Sequence, residues 1–161
     1  MGTWNRLMGL GGPYLEAIAP DPEAAAPPHP RWYALDDPLP APRLSHWALA
    51  VDDLDAAVAA HAGAGVPMAF ERGDLRWRMA VPPSGRLPWD GAFPALIEWE
   101  VGPPVFPDVG ARLRRLTLRH ADHAGLRAAL ATLIEDDRIV VAPGAGLEAE
   151  IGTPAGPKTL R

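Results

Sequence analysis

The sequence has no cysteine, which rules out disulfides, thiol nucleophiles and cysteine-held metal sites. Lysine is nearly absent as well. Lys158 is the single one, so almost all positive charge is arginine, whose rigid guanidinium suits carboxylate or phosphate recognition. The formal charge of −5 is spread along the chain, leaving no basic patch for nucleic acid or for an anionic membrane surface. Serine occurs only at Ser45 and Ser84, and neither stands in a Gly-x-Ser-x-Gly elbow, which argues against a serine hydrolase. Long apolar runs are missing too: Arg, Asp, Pro or Gly interrupts them well short of the roughly 20 residues a spanning helix needs. The start, MGTWNRLMGL, lacks the basic-then-apolar layout of a signal peptide, and the expected location is the cytoplasm. There is no P-loop, and GLGG at 9–12 runs into proline and a strand, so it reads as a turn and not as a dinucleotide fingerprint.

What is abundant is punctuation. Twenty prolines and 16 glycines cut the 161 residues into short segments, which favours strands over long helices. Residues 4–10 and 14–19 flank a Gly-Gly-Pro turn and predict a hairpin. The proline-rich stretch 20–42 reads as an ordered connector pinned by Trp32 and Tyr33. RLSHWALAV (43–51) predicts a strand, and DDLDAAVAAHAGAG a helix capped by Asp52 or Asp53 and stopped at Gly63 or Gly65. In DLRWRMAVP (74–82) a strand's period of two sets Leu75, Trp77 and Met79 on one face and Arg76 and Arg78 on the other. FPALIEWEV (93–101) and RRLTLRH (114–120) predict further strands, ADHAGLRAALATLI (121–134) a helix, and LEAEIGTPAGPKTL (147–160) a closing hairpin.

LSHWALAVDDLDAAVAA and LRRLTLRHADHAGLRAAL both read as a strand, an acidic break and an alanine-rich helix, so a strand-helix-strands unit recurs within the chain. One question stands out at the other end, in GGPYLEAIAPD (11–21). Glu16 sits alone in an apolar run that reads as a strand, either on its solvent face or aimed into a pocket as a ligand or base.

The stretches GTWNRLMGLGGPYLEAIAPD, PRWYALDDP, HWALAVDDLDAAV, RGDLRWRMAVP, FPALIEWE and LRRLTLRHAD resemble the vicinal oxygen chelate superfamily, and within it the glyoxalase-like domain proteins. The resemblance implies an α+β fold: repeated βαβββ modules form curved, mostly antiparallel sheets around a cup, with helices on the outer faces. A single domain over 1–161 is expected, with a first module truncated at its N-terminus (1–22), a second over 43–104 and a third strand-helix-strands unit over 111–161. By the same resemblance Glu16 and His46 match ligands to a divalent metal (Mn, Fe, Ni or Zn), and aligning Ile97 with Ile18 places Ala95 where a further ligand would stand. Strand alternation sets Glu98 and Glu100 with Leu96, on the face opposite Ala95, Ile97 and Trp99.

Arg76 and Arg78 either clamp a ligand's anionic group beside Trp77 or solubilise an outward face. Asn5 is expected to add polar contacts near Glu16, and Trp77 and Trp99 to wall a hydrophobic pocket. His120 and His123 read as exposed turn residues, and the acidic pairs as turn and helix caps. Two functions follow: a metal-dependent lyase, isomerase or dioxygenase on a small oxygenated substrate, or a non-catalytic module that binds or sequesters a small molecule. An unpaired sheet edge left by the missing first strand and helix predicts a homodimer.

Overall fold

The computed structural model describes residues 1–38 and 41–161; Leu39 and Pro40, within the predicted connector, lie outside the described residues. The chain opens with the expected hairpin, β1 (Thr3–Gly9) and β2 (Tyr14–Pro20), paired antiparallel. Its turn needs glycine: Gly11 and Gly12 have φ of 79° and 131°, and Leu10 N–H closes the loop on the Pro13 carbonyl at 2.7 Å. No other strand joins this two-stranded sheet among the described residues.

Two four-stranded sheets follow. The first, in the order β3-β6-β5-β4, is built from β3 (Ala48–Ala50), β4 (Val66–Arg72), β5 (Leu75–Val81) and β6 (Ala95–Trp99), with α1 (Leu54–Ala60) between β3 and β4. The second, β10-β9-β7-β8, contains β7 (Arg112–Arg119), β8 (Ile139–Ala142), β9 (Gly146–Gly152) and β10 (Lys158–Leu160), with α2 (His123–Leu130) between β7 and β8. Five strand pairs are antiparallel, while β3–β6 and β7–β8 are parallel, so the architecture is α+β with mixed and antiparallel sheets.

The order strand, helix, three strands does recur, but the two sheets are wired differently. In the first, the opening strand pairs with the last; in the second, β7 lies between β8 and β9. Strands β4 and β8 fall in segments with little sequence signal. Pro67 is the second residue of one, and the other is only four residues long.

Alternation on β5 and β6 gives their sheet two unlike faces. Ala80 and Leu96 belong to one core with Leu54 of α1, Leu126 and Leu130 of α2, and Leu116, Leu118 and Leu147 of the second sheet. Each helix therefore covers its own sheet while facing a core common to both. On the opposite face Trp77, Met79, Val81, Ala95 and Ile97 form a second cluster with Trp32, packed beneath Tyr33, Leu35 and Ile18. Burying a large apolar side chain stabilises by roughly 1.5–3 kcal/mol, so the connector's Trp32, 7% exposed, anchors it firmly.

Candidate functional site

Glu16 faces inward. In the hairpin register Leu7 stands opposite Glu16 and Asn5 opposite Ile18, so Asn5, Glu16 and Ile18 share a face, and Ile18 packs on the Trp77 cluster. Asn5 Nδ2 donates to Glu16 Oε1 at 2.6 Å. The carboxylate acts on two phenols. Burial first, and then the Glu16 charge, pushes Tyr14 up to about 12. Tyr33 is half-buried and driven well above the usual phenol range by burial, then by Glu16 and Tyr14, so it remains a neutral donor. Among the described residues its hydroxyl reaches only a thioether, Met79 Sδ at 4.0 Å.

Tyr33 also meets His46, their ring centroids 5.2 Å apart. His46 lies just before β3, outside the strand. The β3 ladder begins opposite Ala95, because β6 begins there after the turn through Trp89–Gly91, and Ala95 N–H donates to the Trp47 carbonyl at 2.9 Å. His46 Nδ1 and Ser45 Oγ are 2.8 Å apart. Burial, and then the nearby Arg43 charge, depresses His46 to about 4, so the imidazole is neutral at pH 7. Gly91 packs so closely that a Cβ would stand 2.9 Å from His46 Cδ2, and its φ of +89° favours glycine as well.

A cavity of about 250 Å³ opens beside His46, bordered by Tyr33, Arg43, Ser45, Arg86 and Asp90. Arg86 is paired with Asp37 at 2.6 Å, and Arg43 has no acidic partner among the described residues. The backbone here is unusual. The non-glycine residues with positive φ among the described residues are Tyr33 (58°), Ala34 (51°), Trp89 (49°) and Asp90 (53°), and three of them line this cavity. Such conformations cost on the order of 1–3 kcal/mol each, and strain of that size concentrates where ligands are held. A wider groove of about 390 Å³ between α1 and the segment after α2 is lined by alanines of β3 and α1 together with Asp52, Asp53 and Leu133, with His61 Nε2 2.9 Å from Thr132 Oγ1, and contains none of the expected site residues.

The arginine pair stands elsewhere. Arg78 lies on the α1 face of β5, where it donates to both Asp55 carboxylate oxygens at 2.8 Å and to Glu98 Oε2 at 3.0 Å. Arg76 shares that face and is exposed. Trp77 and Trp99 are on the opposite side, ring centroids 5.6 Å apart, with Trp77 stacked on Phe70. Three buried polar side-chain atoms have no hydrogen-bond partner among the described residues: Thr3 Oγ1 and the indole nitrogens of Trp32 and Trp77. His120 and His123 flank the start of α2; His120 Nε2 is 3.4 Å from the exposed Asp90 carboxylate. Sequence reasoning gave Tyr33 only as an anchor and passed over Arg43 and Arg86. Arg43 and Ser45 were signalled only by their closeness to His46 in RLSHW.

Among the described residues the donors do not gather into a group of three. Glu16 and His46 both face Tyr33, yet Ala95 offers no donor, and no three His, Asp or Glu side chains gather among the described residues. Two protein ligands fall short of the three usual at catalytic sites.

Mixed and antiparallel sheets with a helix against each four-stranded sheet make an α+β protein, an architecture consistent with the glyoxalase fold of the vicinal oxygen chelate superfamily. The chain belongs to the glyoxalase-like domain family, whose model matches residues 1–134, from the hairpin to just past α2. No curated protein and no solved structure matches the chain.

Proposed function

We propose that the protein binds or sequesters a small oxygenated molecule in the cavity beside His46, without catalysing its conversion. The observation that carries this reading is the framing of that cavity by left-handed backbone at Tyr33, Ala34 and Asp90. Evolution retains such strain where it shapes a site. Arg43 supplies charge at the rim, neutral His46 an acceptor or donor, and Ser45 a hydroxyl. Glu16 and Asn5 act from behind, through Tyr33. In this reading Trp77 and Trp99 wall the neighbouring apolar interior, Arg78 holds sheet to helix through Asp55, and Arg76 lies exposed on the same face.

Calorimetric titration of untagged protein with small carboxylates, hydroxyketones and catechols tests it, with elemental analysis for Mn, Fe, Ni and Zn alongside. Binding by one of these classes, weakened at least tenfold in His46→Ala, is the expected result. Binding by none of them overturns the proposal. Stoichiometric metal that disappears in both Glu16→Ala and His46→Ala replaces it with a metal-dependent lyase, isomerase or dioxygenase.

The working unit in this proposal is a homodimer. The hairpin's outward face presents Trp4, 47% exposed, and Met8, 39% exposed, and neither hairpin strand has a further strand partner among the described residues. A two-stranded sheet alone is marginal, and a second copy is the occupant that a self-complementary face fits.

A further inference from the structure

Residues 31–37 cross the face of β5 and β6 that carries Trp77, inserting Trp32 and Tyr33 into its aromatic cluster. Trp32 stands 4.9 Å from Phe70, which stacks on Trp77 at 5.9 Å. This packing leaves two donors stranded. Trp32 and Trp77 are 7% and 8% exposed, and neither indole N–H finds an acceptor among the described residues. Buried donors are nearly always paired, because an unmade bond forfeits the hydration that was given up. The Tyr33 phenol, with only a sulfur in reach, adds a third donor to an interior short of acceptors.

The crossing segment is tied at its ends and at one point between: Arg31 Nε donates to the Met1 and Gly2 carbonyls at 3.1 and 3.3 Å. Arg31 N–H and Nη1 donate to Asp36 at 2.8 and 2.6 Å, Ala34 N–H donates to the Gly85 carbonyl at 2.9 Å, and Asp37 pairs with Arg86 at the surface. Two consecutive non-glycine residues, Tyr33 and Ala34, hold left-handed φ to make the crossing. Docking further requires Gly85, where a Cβ would collide with the Arg31 carbonyl oxygen.

We propose that residues 31–37 are a strap over a second ligand site, closed here, whose occupant is a planar aromatic molecule bearing a carbonyl or carboxylate oxygen. The ring takes the place of Trp32 against Phe70 and Trp77, and its oxygen accepts the Trp77 N–H. Opening returns the Trp32 N–H to water and relaxes the strained turn, so the exchange satisfies both stranded donors. The strap's Tyr33, Ala34 and Asp37 also line the cavity beside His46, so opening reshapes that wall, while the ring's place against Phe70 and Trp77 lies outside the cavity's lining; loss of naphthoate binding in Trp77→Phe but not in His46→Ala tells the two sites apart.

Calorimetric titration with 2-naphthoate, using naphthalene as the acceptor-free control, tests the strap in variants that push it in opposite directions. Ala34→Gly removes strain from the closed form and is expected to weaken naphthoate binding several-fold. Gly85→Ala obstructs closure and is expected to tighten it about tenfold, with faster amide exchange over 31–37. Asp36→Ala, which removes the Arg31–Asp36 pair without touching the core and leaves Arg31 held by the Met1 and Gly2 carbonyls, gives the same direction of change should Gly85→Ala fold poorly. Trp77→Phe keeps the ring and removes the N–H, so it should weaken naphthoate at least fivefold and naphthalene little. No naphthoate binding to any of these proteins, equal affinity across the opening and closing variants, or an unchanged affinity in Trp77→Phe overturns the proposal.

Discussion

At the scale of single residues, environment sets the chemistry of His46. Its folded value of about 4 lies below the ordinary 6.5, with burial as the main cause. Between those two values the unfolded chain binds the proton and the folded chain does not. Stability from this group is therefore complete above about 6.5, falls as pH drops toward 4, and levels off below. His46→Gln, which cannot titrate, should flatten that part of the profile. Urea denaturation of both proteins at pH 7 and 4.5 checks it: an equal loss in both means that other groups carry the slope. Identity was legible here, and surroundings were not. Glu16 and His46 stood out as polar residues in apolar runs, but that both would face Tyr33 depends on a connector whose path no periodicity describes. The face shared by Arg76 and Arg78 was legible from alternation; that Asp55 of α1 would stand above it was not.

At the scale of elements, the termini follow local chemistry closely. Asp53, not Asp52, caps α1: its Oδ1 accepts the Ala56 N–H at 2.9 Å, and Asp55 adds negative charge to the first turn. Asp53→Ala should cost about 1 kcal/mol in chemical denaturation, and Asp52→Ala close to nothing. Equal losses would show that charge, and not the cap bond, is what matters. The helix regularises only as far as Ala60, and a 3-10 turn over Ala62–Ala64 then carries the chain to Gly65, φ 111°. A side chain at Gly65 would strike the Val81–Pro82 backbone, so the stop is set by packing as well as by propensity. Strand β3 shows the opposite case. Nine residues carried a strand pattern, but an edge strand extends only as far as its neighbour, and β6 begins at Ala95. Partner length is tertiary information, absent from any local window.

At the scale of the whole molecule, the order of elements occurs twice, and the sequence pattern is silent about pairing. Both units read strand, helix, strands, yet β3 joins β6 whereas β7 joins β8 and β9. Hydrophobic alternation says which face of a strand is buried, and nothing in it says beside which strand it lies. The hairpin shows what remains open at this scale. Its inner face carries Glu16, Ile18 and Asn5, while the outer face presents Trp4, Arg6 and Met8 with Ala17, Leu15 on that side being packed on Leu10, Ala111 and Ile151. Two copies related by a two-fold axis can lay these faces together, each Trp4 covering apolar surface on its mate. Light scattering coupled to gel filtration should then give twice the 17.2 kDa of one chain. Replacing Trp4 and Met8 with lysine places like charges across the axis and should return a folded monomer. If the wild type runs at 17.2 kDa at every concentration tried, the dimer is wrong and the two apolar side chains are ordinary surface. If the double variant stays dimeric, the axis lies elsewhere, and an exposed sheet edge becomes the surface to examine.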